Sequence, residues 1–179
     1  MERILNIVNE SDEIIGIKTR EEIHKEGLLH REIHVYFITS NNELIVQHRA
    51  KTKDTYPDLL DATVGGHVEI GDSYEKTVIK ETKEETGIDL SIKDLIFISK
   101  IRIKGEDKLT GKINDAFLAR YLYIFNGDIK DLKIEDKKAL GFEAWTYDKL
   151  LNLSEEDKNK FIPNVLNFAK NELKDFINC

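Results

Sequence analysis

Three glutamates in the middle of the chain have the residue type and the spacing of a metal-binding helix face. Glu81, Glu84 and Glu85 stand at positions i, i+3 and i+4, which lie on one face of an α-helix. Like charges placed in this way repel each other by roughly 0.2–0.5 kcal/mol per pair. A hard divalent cation held by the carboxylate oxygens would reverse that penalty. The spacing therefore predicts a carboxylate cluster that binds a cation.

The flanking residues predict the helix that positions these glutamates. Asp72 is expected to accept hydrogen bonds from the first free backbone amides, with Glu75 three residues later as in a capping box. Gly87 follows the last turn, where a left-handed cap favours glycine. A row of side chains at i, i+4 and i+8 is expected to face the core, namely Tyr74, Val78 and Thr82. The alternative is a solvated helix on which Lys80 and Glu84 form an ordinary surface pair.

Residues 65–88 as a whole resemble the Nudix box, G-x5-E-x7-R-E-U-x-E-E-x-G-U, where U is an aliphatic residue. The matching positions are Gly66, Glu81, Glu84, Glu85, Gly87 and Ile88. Asp72 replaces the first glutamate, Lys80 replaces the arginine and Thr82 replaces an aliphatic residue, while the spacing is intact. The resemblance implies an α/β fold of the Nudix type, an α/β/α sandwich with a mixed sheet. It implies one Nudix domain over residues 1–179, ending in a helix at about 160–177.

The resemblance also implies a cofactor and an activity. It predicts a Mg2+-dependent hydrolase, with Mn2+ as a second option, that cleaves the diphosphate linkage of a nucleoside diphosphate derivative or a related organic diphosphate. Glu81, Glu84 and Glu85 are the predicted catalytic residues, and the same three with Gly66 are the predicted metal ligands. Mg2+ prefers octahedral oxygen coordination and keeps some waters, so carboxylates and phosphate oxygens suit it. The general base stays open among Glu81, Glu85 and Glu106.

A longer stretch, roughly residues 3–150, resembles the Nudix branch that contains isopentenyl-diphosphate isomerase and its hydrolase relatives. The resemblance is carried by residues 27–31, 47–53 and 57–62. Basic positions of that branch contact diphosphate and match Arg49 and Lys53, which are therefore the predicted substrate-binding residues. Arg31 and Arg120 are weaker candidates for the same role.

Isomerase chemistry is an alternative to hydrolysis that the same resemblance raises. The three histidines of the isomerase's second metal site line up with His24, His30 and His67. The isomerase, however, has a cysteine immediately before the Gly-His of the loop, where this chain has Gly65, and its one cysteine is Cys179. Residues 137–139 are two lysines and an alanine where the isomerase has carboxylates. Hydrolysis is therefore preferred, and a module that senses a nucleotide without cleaving it is a further alternative.

Length and composition limit the partners and the compartment. The chain of 179 residues is long enough for one domain with a real core. A net charge of −7 argues against a general binder of nucleic acid polymers. A single cysteine suits a reducing compartment, and no apolar run has the length of a membrane span. The prediction is a cytoplasmic protein whose partner is a small-molecule diphosphate, with no membrane contact and with homodimerisation left open.

Apolar patterning predicts the remaining elements. Strands are expected at 12–18, 32–39, 43–47, 95–103 and 116–125, with a hairpin between the second and the third, and helices at 147–152 and 160–177. The polar linker at 104–114 contains two glycines and is predicted to be a mobile loop over the site. The apolar stripe of the last helix is expected to pack on the sheet rather than to form a dimer surface; it comprises Val165, Phe168, Ala169, Leu173 and Phe176.

Overall fold

Two sheets organise the structure, a computed structural model that describes residues 3–177. The strands are β1 (Ile4–Val8), β2 (Ile14–Thr19), β3 (His30–Thr39), β4 (Glu43–Arg49), β5 (Leu60–Asp61), β6 (Val64–His67), β7 (Ile96–Glu106), β8 (Ile113–Phe125) and β9 (Ala139–Thr146). β1 and β2 form a separate antiparallel ribbon. The other seven strands form one sheet in the order β5-β4-β3-β8-β7, with β6 beside β3 and β9 beside β4. Because β3 and β8 are parallel and the other pairs antiparallel, the predicted mixed sheet is confirmed.

Helices cover both faces of the central sheet. They are α1 (Arg20–Glu26), α2 (Tyr74–Thr86), α3 (Tyr147–Leu151), α4 (Glu155–Lys158) and α5 (Pro163–Asn171), with single 3-10 turns at Ile92–Asp94, Ile129–Asp131 and Leu173–Asp175. Side chains alternate between the faces along β3, as the period of a strand requires. Ile33 and Phe37 join a buried cluster with Val78 of α2, whereas Tyr36 joins a second cluster with Phe168 of α5. These two clusters give the predicted α/β/α arrangement.

The predicted loop at 104–114 is in part strand, since both of its ends belong to β7 and β8. β7 and β8 stay paired as far as Glu106 and Ile113, so only residues 107–112 remain as a turn. The buried carboxylate of Asp107 stabilises this turn and also accepts a hydrogen bond from the backbone amide of Tyr56, at 2.8 Å. The prediction of a long loop is therefore wrong, because a single aspartate satisfies the amides at which the hairpin turns.

The C-terminal helix is shorter than predicted. In place of one helix over 160–177, the chain forms α5, which begins at Pro163, followed by a 3-10 turn. Proline is favoured in the first helical turn because its fixed φ suits the helix and its missing N–H needs no partner there. The apolar stripe packs against the central sheet, as predicted. No helix within residues 3–177 is long and apolar enough to cross a membrane. Cys179 lies outside the described residues.

The ribbon of β1 and β2 is fastened to the rest of the fold through Asp12 in its turn. The Asp12 carboxylate accepts hydrogen bonds from Arg31 Nε at 2.6 Å, Lys100 Nζ at 2.6 Å and the Tyr74 hydroxyl at 3.1 Å. These three donors belong to β3, β7 and α2. One carboxylate thus connects four elements, and charge-assisted hydrogen bonds of this kind are stronger than neutral ones.

Candidate active site

The helix that carries the three glutamates is α2, and its N-cap is one residue later than predicted. Ser73 has the extended backbone of an N-cap, and its hydroxyl accepts a hydrogen bond from Lys76 N at 3.2 Å. Asp72 forms an ion pair with Lys76 Nζ at 2.5 Å instead. The predicted capping role of Asp72 is therefore wrong. The predicted C-cap is confirmed, because Gly87 has a φ of 75°.

α2 directs two of the three glutamates inward. Glu81 and Glu85 are each 3 % exposed, whereas Glu84 is exposed to solvent. Positions i and i+4 lie one above the other on a helix, while i+3 is offset around the axis, which accounts for the difference. Val78 and Thr82 are fully buried on the adjoining face. The buried Thr82 hydroxyl has no hydrogen-bond partner among the described residues, which is a cost of its departure from an aliphatic residue.

The two inward carboxylates carry charge that the protein compensates only in part. Glu85 Oε2 accepts hydrogen bonds from Gln47 Nε2 at 3.1 Å and from the Gly65 amide at 3.3 Å. Burial and the neighbouring charge of Glu81 raise the pKa of Glu85 to about 7. Burial also raises the pKa of Glu81, and its nearest cation is Arg3, with Nη2 at 3.7 Å. Both groups are therefore costly as unpaired anions.

The glycine-containing strand β6 lies directly against Glu81. A Cβ atom on Gly66 would stand 2.7 Å from Glu81 Cγ, which real contacts do not allow. Only glycine lets the backbone approach the carboxylate this closely. The neighbouring Gly65 has more space, because a Cβ there would stand 3.5 Å from His34 Cδ2. Gly66, a predicted metal ligand, is thus brought next to Glu81, as the box resemblance implies.

The donor set at the end of β6 fits a hard divalent cation. Its side-chain donors are carboxylate oxygens, and the backbone of β6 at Gly66 lies beside Glu81. A cation between Glu81 and Glu85 would offset both their burial and their mutual repulsion. Glu84, the third predicted ligand, is adjacent on the helix but outside the buried pair.

The pair faces a cavity of about 410 Å³ that is rich in charge. The cationic residues that line it are Arg3, Arg20, Arg49, Lys53, Lys104 and Lys138. The anionic residues that line it are Glu32, Asp54, Asp61, Glu81, Glu85 and Glu106. Arg31 and Arg120, the weaker candidates for binding diphosphate, do not line it. Arg31 binds Asp12, and Arg120 binds Glu172 with Nη2 to Oε2 at 2.7 Å.

Arg49 is already engaged by the loop that follows β4. Its guanidinium donates to Tyr56 O at 3.0 Å, to Asp61 Oδ2 at 2.8 Å and to Thr55 O at 2.7 Å. A guanidinium has five N–H donors, so most of its capacity is used within the protein. Arg49 therefore shapes the wall of the cavity.

Lys53 differs from Arg49 because its ammonium group is not engaged in an ion pair among the described residues. Its side chain is half-buried in the cavity wall and makes no hydrogen bond or ion pair with any residue in 3–177. Burial, with the nearby charge of Arg49, lowers the pKa of Lys53. An ammonium group in this position gains from an anionic ligand, which fits the predicted contact with substrate.

A second group of ligand-type side chains lies in the same cavity region. His24 of α1, His30 and Glu32 of β3, and His67 of β6 are all buried, and their ligand atoms lie within 4.8 Å of one another. His67 Nε2 is 3.0 Å from His24 Nε2 and 3.2 Å from Glu32 Oε1. His30 Nε2 is 3.4 Å from the same carboxylate oxygen. The three histidines suggested by the isomerase resemblance are thus brought together, with Glu32 added.

The outer nitrogens of this histidine cluster fix the tautomers of two rings. His24 Nδ1 is 3.2 Å from Ile113 O, and His30 Nδ1 is 2.9 Å from Leu28 O. A carbonyl only accepts hydrogen bonds, so each Nδ1 carries a proton and is occupied by that hydrogen bond. The Nε2 atoms of His24, His30 and His67 and the Glu32 carboxylate face one another inside the cluster. Such a donor set, with its outer nitrogens anchored, fits a cation that accepts imidazole ligands.

Sequence reasoning missed several cavity residues, among them Glu32 and Lys138. Glu32 is brought to the histidines by strand register, which pairs it with His67 across β3 and β6. Lys138 lines the cavity and binds Glu135 at 2.8 Å, and its charge acts on Glu81. One feature of the sequence could have identified Lys138, because it is one of the two lysines at positions where an isomerase has carboxylates.

Comparison with known proteins identifies the family. The family model of the NUDIX domain matches residues 28–165. A curated Nudix hydrolase of Clostridium acetobutylicum is 32% identical over 152 residues, which cover 83% of this chain and 72% of that protein. Nudix hydrolase 3 of Arabidopsis thaliana is 25% identical over 182 residues, covering 98% of this chain but only 23% of the plant protein. A crystal structure from Deinococcus radiodurans has a TM-score of 0.63 at 24% identity, covering 84% of this chain and 87% of that one.

The chain therefore belongs to the NUDIX domain family. Within that family it is a hydrolase acting on diphosphate bonds. The mixed sheet with helices on both faces agrees with the likeness to the Deinococcus structure. The comparisons do not separate the isomerase-related branch from the rest of the family, so that finer relationship stays a prediction.

Proposed function

We propose that this chain is a Mg2+-dependent hydrolase that cleaves the diphosphate linkage of a nucleoside diphosphate derivative or a related organic diphosphate. The observation that carries the proposal is the buried pair Glu81 and Glu85, which faces the same cavity as the unpaired ammonium of Lys53. Water adds across the P–O–P bridge, so that one phosphorus receives the hydroxyl group. The bridging oxygen leaves with the other phosphate, and a phosphomonoester is released.

Each residue of the cavity has a distinct role in this proposal. Glu81 and Glu85 would hold the Mg2+, or Mn2+, together with Glu84 and the carbonyl of Gly66. When bound, the ion neutralises phosphate charge and lowers the pKa of a coordinated water. Lys53 binds a phosphate oxygen through a charge-assisted hydrogen bond. The general base stays open among Glu81, Glu85 and Glu106, whose carboxylate lines the cavity without a partner among the described residues.

Arg49 acts mainly by holding the loop that contains Lys53. Three of its hydrogen bonds go to that loop and to Asp61. Its predicted contact with diphosphate would use only the donors that remain. We therefore expect Arg49→Lys to disturb substrate positioning, because lysine lacks the planar fork that binds several acceptors at once.

The histidine cluster supports a second cation site beside the first. Imidazole nitrogens with one carboxylate suit Zn2+, Mn2+ or Fe2+ better than they suit Mg2+. The same cluster is the observation that favours the isomerase alternative. Against that alternative stands Gly65, which has no group to move a proton at an unactivated carbon. Conversion of isopentenyl diphosphate to dimethylallyl diphosphate at a useful rate would favour the isomerase instead.

The central experiment measures phosphate release after phosphatase coupling. A panel of nucleotide-linked, dinucleotide and isoprenoid diphosphates is assayed with Mg2+ and with EDTA. Mg2+-dependent release from one class of compound supports the hydrolase and names its substrate family. If no compound is cleaved while thermal shift still detects binding, the proposal is wrong and a sensing module is favoured.

A matched pair of lysine variants tests the substrate contact. Lys53→Gln should raise KM about tenfold, because a hydrogen bond between charged groups contributes about 1.5–3 kcal/mol. Lys51→Gln is the control, because Lys51 is exposed and does not line the cavity. Its Nζ is 3.6 Å from Oδ2 of the exposed Asp58, so it forms a surface ion pair. Equal KM values for both variants would remove Lys53 from the substrate site.

A further inference from the structure

A second cavity adjoins the charged one. It has a volume of about 650 Å³ and lies between the β7–β8 turn and α5. Three residues line both cavities, namely Tyr56, Glu106 and Pro163. The two cavities therefore adjoin at these three residues, and the second cavity is next to the place where the proposed diphosphate binds.

The wall of the second cavity differs in chemistry from the first. Apolar side chains form much of it, namely Tyr56, Pro57, Leu59, Leu109, Phe161, Pro163 and Leu166. Three asparagines also line it, at positions 159, 167 and 171, and Asn171 Nδ2 donates a hydrogen bond to Asn167 Oδ1 at 2.9 Å. A wall with apolar and aromatic surface and a few amides is typical of a site for a flat organic group with polar edges.

The rim of this cavity is cationic. Lys108 and Lys170 line it, and neither forms an ion pair with any residue in 3–177. Lys158, a third lysine, is already paired with Glu155. Two unpaired ammonium groups favour a ligand that has a further negative charge beyond the diphosphate.

Tyr56 is held rigidly at the boundary. Its amide donates to Asp107 Oδ2 at 2.8 Å, and its carbonyl accepts from Arg49 Nε at 3.0 Å. Its backbone has a φ of 47°, an uncommon conformation for a residue with a side chain. Such a conformation persists only where the surroundings fix it. The backbone of Tyr56 is thus held in place where the residue lines both cavities.

We propose that the second cavity binds the non-reacting half of the substrate, and that this half is an aromatic group with an anionic substituent that stacks on Tyr56. The inference rests on the proposed diphosphate hydrolysis, which places the reacting phosphates in the charged cavity. Aromatic stacking on the Tyr56 ring adds to the affinity gained from the burial of apolar area. A flexible aliphatic chain would bury apolar surface but would make no polar contact with Asn159 or with Lys108 and Lys170.

The test uses three substrates that differ only in the second half. They are 2-(6-carboxy-2-naphthyl)ethyl diphosphate, n-octyl diphosphate and methyl diphosphate, with direct measurement of released phosphate. The methylene diphosphonate analogue of the naphthyl compound serves as a non-hydrolysable fluorescent probe, and its anisotropy reports binding independently of turnover. The expected result is a KM for the naphthyl compound at least tenfold below that for the methyl compound and below that for the octyl compound.

Two variants and one control test whether the second cavity causes the difference in KM between the compounds. Leu109→Glu should raise the KM of the naphthyl compound and the Kd of its analogue at least fivefold while leaving methyl diphosphate unchanged within twofold. Leu109 is 76% exposed, so this change should not impair folding. Leu166→Ser tests the opposite wall, with a thermal melt to confirm that the variant is folded. Leu151→Glu is the control, because Leu151 is also exposed, at 46%, and lines neither cavity.

The outcomes separate this inference from the proposed hydrolysis. Unchanged naphthyl binding in both variants, or equal affinity for the octyl and naphthyl compounds, would overturn the aromatic assignment. If the unmodified protein cleaves none of the three compounds, the proposed hydrolysis fails for them. Binding of the phosphonate analogue and its loss in Leu109→Glu would then still support the second cavity.

Discussion

The two clusters of ligand-type side chains differ in donor atoms and in how the chain assembles them. Glu81 and Glu85 stand four residues apart on α2 and offer oxygen donors only. The histidine cluster draws its members from α1, β3 and β6 and offers three nitrogens with one carboxylate. Helix periodicity alone brings the first pair together, whereas the second requires correct strand register. The glutamate pair is therefore assembled within one helix and offers hard oxygen ligands. The histidine cluster is assembled from three elements and offers softer nitrogen ligands.

The difference teaches which features of a binding site a sequence displays. A helical spacing of i and i+4 is fixed by backbone geometry and is visible without any tertiary contact. The approach of His67 to Glu32 depends instead on the pairing of β3 with β6, which no short segment specifies. If the two sites are independent, variants in one should leave the other intact.

The largest expected effect comes from removing an inward carboxylate. Glu85→Gln should lower kcat/KM by about a hundredfold or more, on the scale of losing an electrostatic contact to a developing charge. Glu84→Gln should cost about tenfold, because Glu84 is exposed. Glu75→Gln, an exposed position on the same helix, is the control. Unchanged turnover in both Glu84→Gln and Glu85→Gln would refute the metal assignment.

A glycine pair tests the close approach of β6 to the glutamates. Gly66→Ala should displace Glu81 and lower activity strongly, with a loss of about 1–3 kcal/mol in the free energy of unfolding from overpacking. Gly65→Ala is the matched control, because its Cβ would make only ordinary contacts. Steady-state kinetics and chemical denaturation measure the two effects. Equal behaviour of the two variants would contradict the geometry at Gly66.

The histidine cluster is tested by its metal content. The purified protein should bind Co2+ with the visible absorption of a site that contains nitrogen ligands. His24→Asn should weaken this binding at least tenfold, and Glu85→Gln should leave it unchanged. Mg2+ dependence of turnover should be retained in His24→Asn. Absence of the Co2+ spectrum in the unmodified protein would mean that the four side chains form only a hydrogen-bonded cluster.

The smallest expected effect concerns the stability of α2. Thr82→Val replaces a fully buried hydroxyl that lacks a partner with a methyl group of similar size. The free energy of unfolding should rise by about 1 kcal/mol, since an unsatisfied buried polar group is removed. Urea denaturation measures the change. A decrease in stability would show that the hydroxyl is bonded in solution, and Thr77→Val is the comparison because the Thr77 hydroxyl donates to Ser73 O.

Much of the fold followed from patterns that act over short distances. The hairpin of β3 and β4, the helix with three glutamates and the glycine C-cap were all predicted correctly because each depends on neighbouring residues. The N-cap was misplaced because Asp72 and Ser73 are both good capping residues, and only the backbone conformation selects Ser73. The C-terminal helix was predicted too long because the apolar stripe continues through a 3-10 turn.

The rest of the site depended on contacts that the sequence does not display. The role of Arg49 was predicted from the family resemblance, whereas its three acceptors belong to residues six to twelve positions away. Residues 104–114 were predicted as a loop from their polarity, but half of that segment is edge hairpin in which side chains face solvent. Polar composition thus indicated exposure correctly and secondary structure incorrectly.

The hydrogen bonds around Tyr56 connect the β7–β8 turn to the charged cavity. Asp107 in the β7–β8 turn holds the Tyr56 amide at 2.8 Å, Arg49 holds the Tyr56 carbonyl at 3.0 Å, and Arg49 in turn holds Asp61 at 2.8 Å. Every link has a charged partner, and such bonds resist stretching more than neutral ones. The side chains of Asp107, Arg49 and Asp61 therefore couple the position of the β7–β8 turn to the lining of the charged cavity through hydrogen bonds.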